Sequence, residues 1–257
     1  MLLLGLVTGV LGGMLGVGGS IVMIPVLTLL LRHDTHAAQA AALTVNAFVA
    51  VPAMTRHHRA GAVRWEAVRR SLPAGLVCIV LGVAVSNLFD GERLLKVFGV
   101  FLIYVIVTDL LKVVGVQPEV TAGNPRMTWP RCTLVGGLMG FVGGVLGIGG
   151  GLVAVPLLQR LAHLPLRQCI ATSSAVMCVT AVLGAAYKNA TLARHVDSAG
   201  QMLTIRDSLM IAACLAPTAM LGSLIGARLT HSLPVRWIRL AFVLLLAYAA
   251  GKMLGLL

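Results

Sequence analysis

Charge is what this chain has least of. Only 11% of its 257 residues are Asp, Glu, Lys or Arg, and eight of them are acidic, whereas a soluble domain carries about 25% to keep its surface solvated. No stretch is long or polar enough to build a separate soluble domain. Aromatic residues make up 5% and never interleave with a basic stripe, so the net charge of +12 does not mark a nucleic-acid interface. The five cysteines, Cys78, Cys132, Cys169, Cys178 and Cys214, lack C-x-x-C spacing and neighbouring His, which reads as free buried thiols rather than a disulfide framework or a metal site. No H-E-x-x-H, Ser-His set or pair of intramembrane aspartates is written anywhere, so neither enzyme chemistry nor a cofactor or metal is expected. No charged stretch, short apolar core and A-x-A site mark a cleaved signal peptide at the N-terminus.

What is there is apolar. The hydrophobic fraction is 58% and the mean hydropathy +0.96. Leu94–Leu111, Leu209–Ala227 and Ile238–Leu257 each match the roughly 20 apolar residues a helix needs to cross a bilayer. Apolar blocks at 2–31, 36–55, 71–89, 93–116, 132–159, 165–187, 208–228 and 235–256 predict an all-α polytopic membrane protein of about eight spans. Lipid is its surroundings, the cell inner membrane its expected location, and a homo-oligomer is compatible with the composition. If each block crosses once, Lys and Arg divide 12 against 8, which leans toward both termini in the cytoplasm. The first and fifth blocks complicate that count, because about 30 residues of helix reach about 45 Å, more than a membrane requires. Each is either a tilted broken helix, leaving two repeats in one orientation, or a re-entrant hairpin, which can invert them.

One phrase is written twice. GVLGGMLGVGGSIVMIPVL starts at Gly9 and GFVGGVLGIGGGLVAVPLL at Gly140. At an offset of 131, Gly12, Gly13, Gly16, Gly18, Gly19 and Pro25 fall on Gly143, Gly144, Gly147, Gly149, Gly150 and Pro156. The chain therefore divides into a first four-span repeat at 1–116, a linker at 117–131 with several Pro and Gly, and a second four-span repeat at 132–257.

Glycine at adjacent and alternate positions weakens a helix by about 1 kcal/mol each and admits left-handed turns, while Pro25 and Pro156 each remove a helix hydrogen bond. Both point to a helix break at membrane depth, which survives only inside protein or beside a watery cavity. A break presents N–H groups and the positive end of a helix dipole, an anion site without a charged side chain. The residues expected to line it are Gly16, Gly18, Gly19 and Ser20 in the first copy and Gly147, Gly149, Gly150 and Gly151 in the second. Thr44 and Asn46 on the second span, and Thr172, Ser173 and Ser174 on the sixth, place further hydrogen-bonding groups at similar depth. Small-residue spacings such as Gly5/Gly9, Gly12/Gly16 and Gly222/Gly226 have another use, the close approach of two membrane helices. On that reading the protein is a membrane scaffold or assembly factor. The glycine phrases lack the Lys-Ser/Thr of a P-loop and do not follow a strand, so they are not nucleotide loops. Asp109, three residues before Lys112, reads as an interfacial ion pair or as a coupling carboxylate. Lys188 beside Tyr187 closes the sixth span, where it either attracts anions at a cavity mouth or, the ordinary reading, snorkels. His57 and His58 sit in a basic connector.

The doubled G-x-x-G-G-x-L-G-x-G-G-[SG]-x-x-x-x-P phrase, Thr172-Ser173-Ser174, and the RAGAVRW connector at Arg59–Trp65 resemble the sulfite exporter TauE/SafE family, also called the 4-toluene sulfonate uptake permease group. The resemblance covers essentially the whole chain. It implies a multi-span inner-membrane transporter of sulfite, organosulfonates or related small organic anions. Two positions depart from it: Ser20 stands where the second copy has Gly151, and the first copy's second span reads Thr-Val-Asn instead of Thr-Ser-Ser.

Overall fold

The computed structural model describes residues 1–15, 19–113, 126–196, 200–229 and 235–255. Among the described residues ten α-helices follow one another: α1 (Leu2–Leu15), α2 (Ser20–Pro25), α3 (Thr35–Arg59), α4 (Trp65–Ser86), α5 (Gly91–Val113), α6 (Trp129–Leu146), α7 (Gly151–Ala162), α8 (Leu166–Thr191), α9 (Ile205–Leu229) and α10 (Val235–Met253). Four of them, α3, α4, α8 and α9, are long and apolar enough to cross a membrane. Large apolar side chains such as Val77, Leu81, Val100, Leu209 and Leu221 face outward. Buried polar groups, among them Gln39, Asn46, Ser86, Thr180 and Lys188, gather inside. That distribution inverts the pattern of a soluble protein and fits a bilayer as solvent.

Both long apolar blocks are interrupted. In the fifth, α6 stops at Leu146, Gly147 takes φ +75°, and Gly149 and Gly150 take φ +68° and +77° before α7 begins at Gly151. The chain then doubles back. Gly150 packs on Met139 of α6, the Arg126 N–H donates to the Ala162 carbonyl at 3.0 Å, and Arg131 Nη1 donates to the Leu161 carbonyl at 3.1 Å. The end of α7 therefore lies beside the start of α6, so this block is a re-entrant hairpin and not one tilted span. The first block has the same contact 131 positions earlier, with Gly19 (φ +78°) packed on Thr8 of α1. Here α2 gives way at Pro25 to a π-helical stretch, Val26–Leu30, whose wider turn is seen in the Leu31 N–H donating to the Val26 carbonyl. The prolines are not the breaks. Pro156 lies inside a continuous α7 and Pro25 marks only the change of helix type; glycine, which alone adopts these positive φ angles without strain, ends the helices.

Helix directions follow from residue pairings. The row Gly136, Gly140, Gly144 on α6 presses against the backbone of Ser71, Gly75 and Ile79, so α6 runs parallel to α4. Gly5, Gly9 and Gly13 on α1 meet Leu215, Ala219 and Ser223 in the same way, so α1 runs parallel to α9, and Gly222 and Gly226 return the contact to Leu6 and Val10. The packing expected of Gly5/Gly9 and Gly222/Gly226 is present. Helices α3 and α8 are antiparallel at the centre: His36 lies by Lys188, Gly184 by Leu43, and Gly149 between Asn46 and Met177. Their Ala- and Ser-rich faces, Ala37–Leu43 and Cys169–Met177, are buried throughout. One face of the bundle accordingly carries the starts of α1, α3, α5 and α9 and the end of α8, and the other carries the starts of α4, α6 and α8. The premise of one crossing per block fails for the first and fifth.

The glycine rows leave no room for a side chain. Gly140→Ala drives a methyl into the Gly75 carbonyl, whereas Gly137→Ala meets only Cys78 Sγ at 3.6 Å. Thermal unfolding in detergent is expected to show Gly140→Ala destabilised by about 1–3 kcal/mol and Gly137→Ala unchanged or stabilised by up to about 1 kcal/mol.

Candidate functional site

The break after α6 is built from the helix end outward. The last carbonyls of a helix have no intrahelical donor, and in lipid they need one from elsewhere. Gln39 of α3 supplies it: its Nε2 donates to the Gly144 carbonyl at 3.2 Å and the Val145 carbonyl at 2.6 Å. Gly147 packs directly on the Gln39 side chain. Two turns further along α3, Asn46 is wholly buried and donates from Nδ2 to Ser20 Oγ at 2.9 Å. A methyl on Gly149 would stand 2.8 Å from Met177 Sδ and 3.2 Å from Asn46 Nδ2. Asn46 therefore touches both interruptions, the start of α2 through Ser20 and the second break through Gly149. Its Oδ1 has no hydrogen-bond partner among the described residues. Amide oxygen and nitrogen exchange by a flip, after which the Ser20 hydroxyl donates to Oδ1 and both amide hydrogens turn to the unpaired side. At the start of α7, Gly150 caps without a side chain, which leaves the first N–H groups of that helix to other partners.

The remaining expected residues divide. Gly19, Ser20 and Gly147–Gly151 are all buried at the two breaks; Gly16 and Gly18 lie outside the described residues. Thr44 donates to the Ala40 carbonyl and accepts from Asn189 Nδ2 at 3.2 Å, away from either break. Ser173 and Ser174 both donate back to the Ile170 carbonyl, the local bond that Ser and Thr commonly make in a helix. Thr172 Oγ accepts from the Arg64 N–H at 3.2 Å and so fastens the α3–α4 connector. Asp109 lies in α5 with its side chain outside the described residues. Among the described residues no cluster of His, Cys, Asp or Glu could hold a metal ion.

A second polar group was not expected. Lys188 does not snorkel; it is fully buried, with Nζ 3.0 Å from His36 Nδ1 and donating to Ser86 Oγ at 3.0 Å and Asn87 Oδ1 at 2.7 Å. His36 Nε2 lies 3.1 Å from the Phe89 carbonyl, and its ring stacks on His195 with centroids 3.7 Å apart. Asn87 Nδ2 donates to Thr191, and Asn189 meets Ser208 of α9. Ser86 Oγ lies 3.4 Å from Gln39 Oε1, which joins this group to the capped end of α6. Outside it, on the same face, a cleft of about 410 Å³ is lined by Thr28, Arg32, His33, Asp34, Thr35 and Glu92. Burial first, and then the Lys188 ammonium, hold the His195 imidazole below the usual histidine range. Only the Lys could have been noticed in sequence, since its partners come from positions about 100 to 150 residues away.

The profile of the sulfite exporter TauE/SafE family matches residues 1–253. The chain belongs to that family. It is 25% identical over 282 residues to the probable membrane transporter protein MamO of Magnetospirillum gryphiswaldense, covering 98% of this chain and 44% of MamO. A probable membrane transporter protein of Methanocaldococcus jannaschii is 24% identical over 252 residues, 93% of this chain and 89% of the relative. One of Haemophilus influenzae is 27% identical over 149 residues, about half of each chain. The chain spans less than half the length of MamO. No solved structure matches it. Family, relatives and apolar helices together identify a multi-pass membrane protein of a transporter family.

Gln39 caps α6 from another helix. Gln39→Leu leaves the Gly144 and Val145 carbonyls without their donor, and a loss of about 1–3 kcal/mol is expected in thermal unfolding. Gln39→Glu, which either buries a charge or keeps a single donor for two carbonyls, is expected to do no better.

Proposed function

We propose that the chain is a secondary transporter, an exporter of sulfite, organosulfonates or related small organic anions, built as two inverted repeats whose broken segments bind the anion. The observation that carries this is Asn46, buried between Ser20 and Gly149 with an amide atom that has no partner among the described residues. A polar side chain left incompletely bonded at a helix break in lipid costs stability unless a ligand completes it. The substrate groups are the N–H groups around Gly16–Ser20 and Gly147–Gly151, with Asn46; Thr44, Thr172, Ser173 and Ser174 join only after a rearrangement that frees their hydroxyls. The described break residues are buried, as a closed form requires. Alternating access opens it by moving one repeat against the other. Support for the repeats, 1–116 and 132–257 about a linker at 117–131, is that Gly19 on Thr8 recurs as Gly150 on Met139 and that Gly5, Gly9 and Gly13 recur as Gly136, Gly140 and Gly144, all at an offset of 131. The driving force is an ion gradient or the membrane potential.

The hairpins reverse the orientation favoured by counting single crossings. Seven of the 20 Lys and Arg lie toward the face that holds the termini, and 13 toward the face that holds the α3–α4 connector. The positive-inside tendency places that connector in the cytoplasm and both termini outside it, in the inner membrane. With the native cysteines replaced, Asp90→Cys is expected to react with an impermeant maleimide in intact cells and Ala60→Cys only after permeabilisation.

Flux decides between carriage and scaffolding. Gly149→Ala forces a side chain onto Asn46 and Met177 at φ +68°. In proteoliposomes loaded with sulfite, taurine or sulfoacetate, wild-type protein is expected to release at least one of them with saturation. Folded Gly149→Ala is expected to lose at least 90% of that rate. Normal flux in the variant would remove the break from the mechanism, and an absence of flux in wild type with assembly defects in the variant would favour the scaffold.

A further inference from the structure

Lys188 is the one described lysine sealed from solvent, and its environment is unlike that of a structural ion pair. Among the described residues no carboxylate lies within ion-pair distance of Nζ. Its three contacts are a histidine nitrogen, a hydroxyl and an amide oxygen. The titratable and charged groups around it are Asp34 at the start of α3, His36 on α3, and His195 with Arg194 beyond α8; α4 contributes only the neutral Ser86 and Asn87.

The hydrogen bonds of this group fix how many protons it holds. With the proton on Lys188, Nζ donates to His36 Nδ1, Ser86 Oγ and Asn87 Oδ1, and His36 Nε2–H donates to the Phe89 carbonyl. With the proton passed across the 3.0 Å contact to His36, Nδ1–H donates to the Nζ lone pair, Nε2–H still donates to Phe89, and the two remaining Nζ hydrogens keep Ser86 and Asn87. One N–H bond breaks as the other forms, and every hydrogen has an acceptor in both arrangements. A second proton fits neither, since the Nδ1 and Nζ hydrogens would then oppose each other. Removing the only proton leaves either two amine hydrogens for three acceptors or, in the other His36 tautomer, an Nε2 lone pair facing the Phe89 carbonyl. Lys188 and His36 are therefore a store for a single proton, and the stacked, half-buried His195 stands between them and the face carrying the termini.

The store adjoins the break. Lys188 donates to Ser86, Ser86 lies 3.4 Å from Gln39 Oε1, and Gln39 Nε2 holds the last carbonyls of α6 immediately before Gly147. We propose that the Lys188–His36 pair is the proton-coupling site of this transporter: the closed form holds the single proton, and the pair gives it up when the anion leaves the glycine breaks, so that anion and proton cross together. This deepens the transport reading above and rests on it for the anion site, not for direction: with protons more concentrated outside, the same coupling drives uptake, and export by it needs the opposite gradient. A positive charge in a low-dielectric interior favours an anion nearby, and by linkage the bound anion favours the proton to the same degree. Ser86 gives its hydrogen to the Val83 carbonyl at 2.8 Å, so its contact with Gln39 at 3.4 Å is one of packing.

The test uses methanesulfonate, a strong-acid anion that brings no proton of its own at neutral pH. The full chain is reconstituted in liposomes containing trapped pyranine, with the potential clamped at zero by potassium and valinomycin. An interior made alkaline is expected to concentrate labelled methanesulfonate by about tenfold per pH unit at one proton per anion, with pyranine reporting acidification in step. Lys188→Met and His36→Gln are each expected to abolish the accumulation and the pyranine signal; His36→Gln, which keeps an acceptor for Nζ, carries this arm if Lys188→Met does not fold. If wild type equilibrates methanesulfonate but the gradient neither concentrates it nor moves the dye, the proton inference falls and transport stands. If coupling persists in His36→Gln, or in a folded Lys188→Met, this pair is not the site and the inference falls. If wild type moves no methanesulfonate and none of methanesulfonate, sulfite, taurine or lactate raises its melting temperature, both readings fall together.

Discussion

A peptide group inside a bilayer has no water to bond with, and the two interrupted helices make that constraint felt everywhere else in the molecule. Helix α6 ends among buried residues, with orphan carbonyls and positive-φ glycines beyond them. Those carbonyls draw Gln39 into the core, and its side chain ties α3 to the last turn of α6. Asn46, seven residues along the same helix, serves the start of α2 by the same logic. An unbroken span would need neither.

Two kinds of contact divide the work of packing. Helices α1 and α6 lie on α9 and α4 with backbone against backbone, through rows of glycine that admit no side chain. In lipid, where apolar surface gains little by leaving its solvent, such close approach supplies dispersion contacts that larger residues would prevent. At the centre, between α3 and α8, packing is richer in hydrogen bonds: Thr44 with Asn189, Lys188 with His36. The periphery is thus held by shape and the centre by polar groups. A central contact that can exchange partners is suited to movement in a way that interlocked backbone is not.

Much of this was legible in the sequence, and the failures have physical causes. The glycines repeated at an offset of 131 mark both interruptions to within a residue or two, because few other residues accept positive φ. The path of the chain after the break was not legible: glycine permits a bend of either sense, and the choice is made by distant contacts such as Arg131 with the Leu161 carbonyl. Thr172, Ser173 and Ser174 resemble ligands because hydroxyls are rare in such a helix, yet two of them satisfy themselves on Ile170. Gln39 hides in a run of alanines whose composition says nothing about its role. Lys188 ends an apolar stretch, as snorkelling lysines do; what keeps it inside is a set of acceptors from α3 and the α4–α5 turn that no local pattern reveals.

The pairing of α1 with α9 also imposes an order on assembly. Gly5 rests on Leu215, so the first hairpin leaves the ribosome long before the surface it fits, and at about 5–20 residues per second the wait is on the order of 10–40 s. The second hairpin has no such delay, since α4 is already made when α6 emerges. The first glycine row must therefore spend that interval shielded by lipid or by the insertion machinery, and the molecule closes only when its ninth helix arrives.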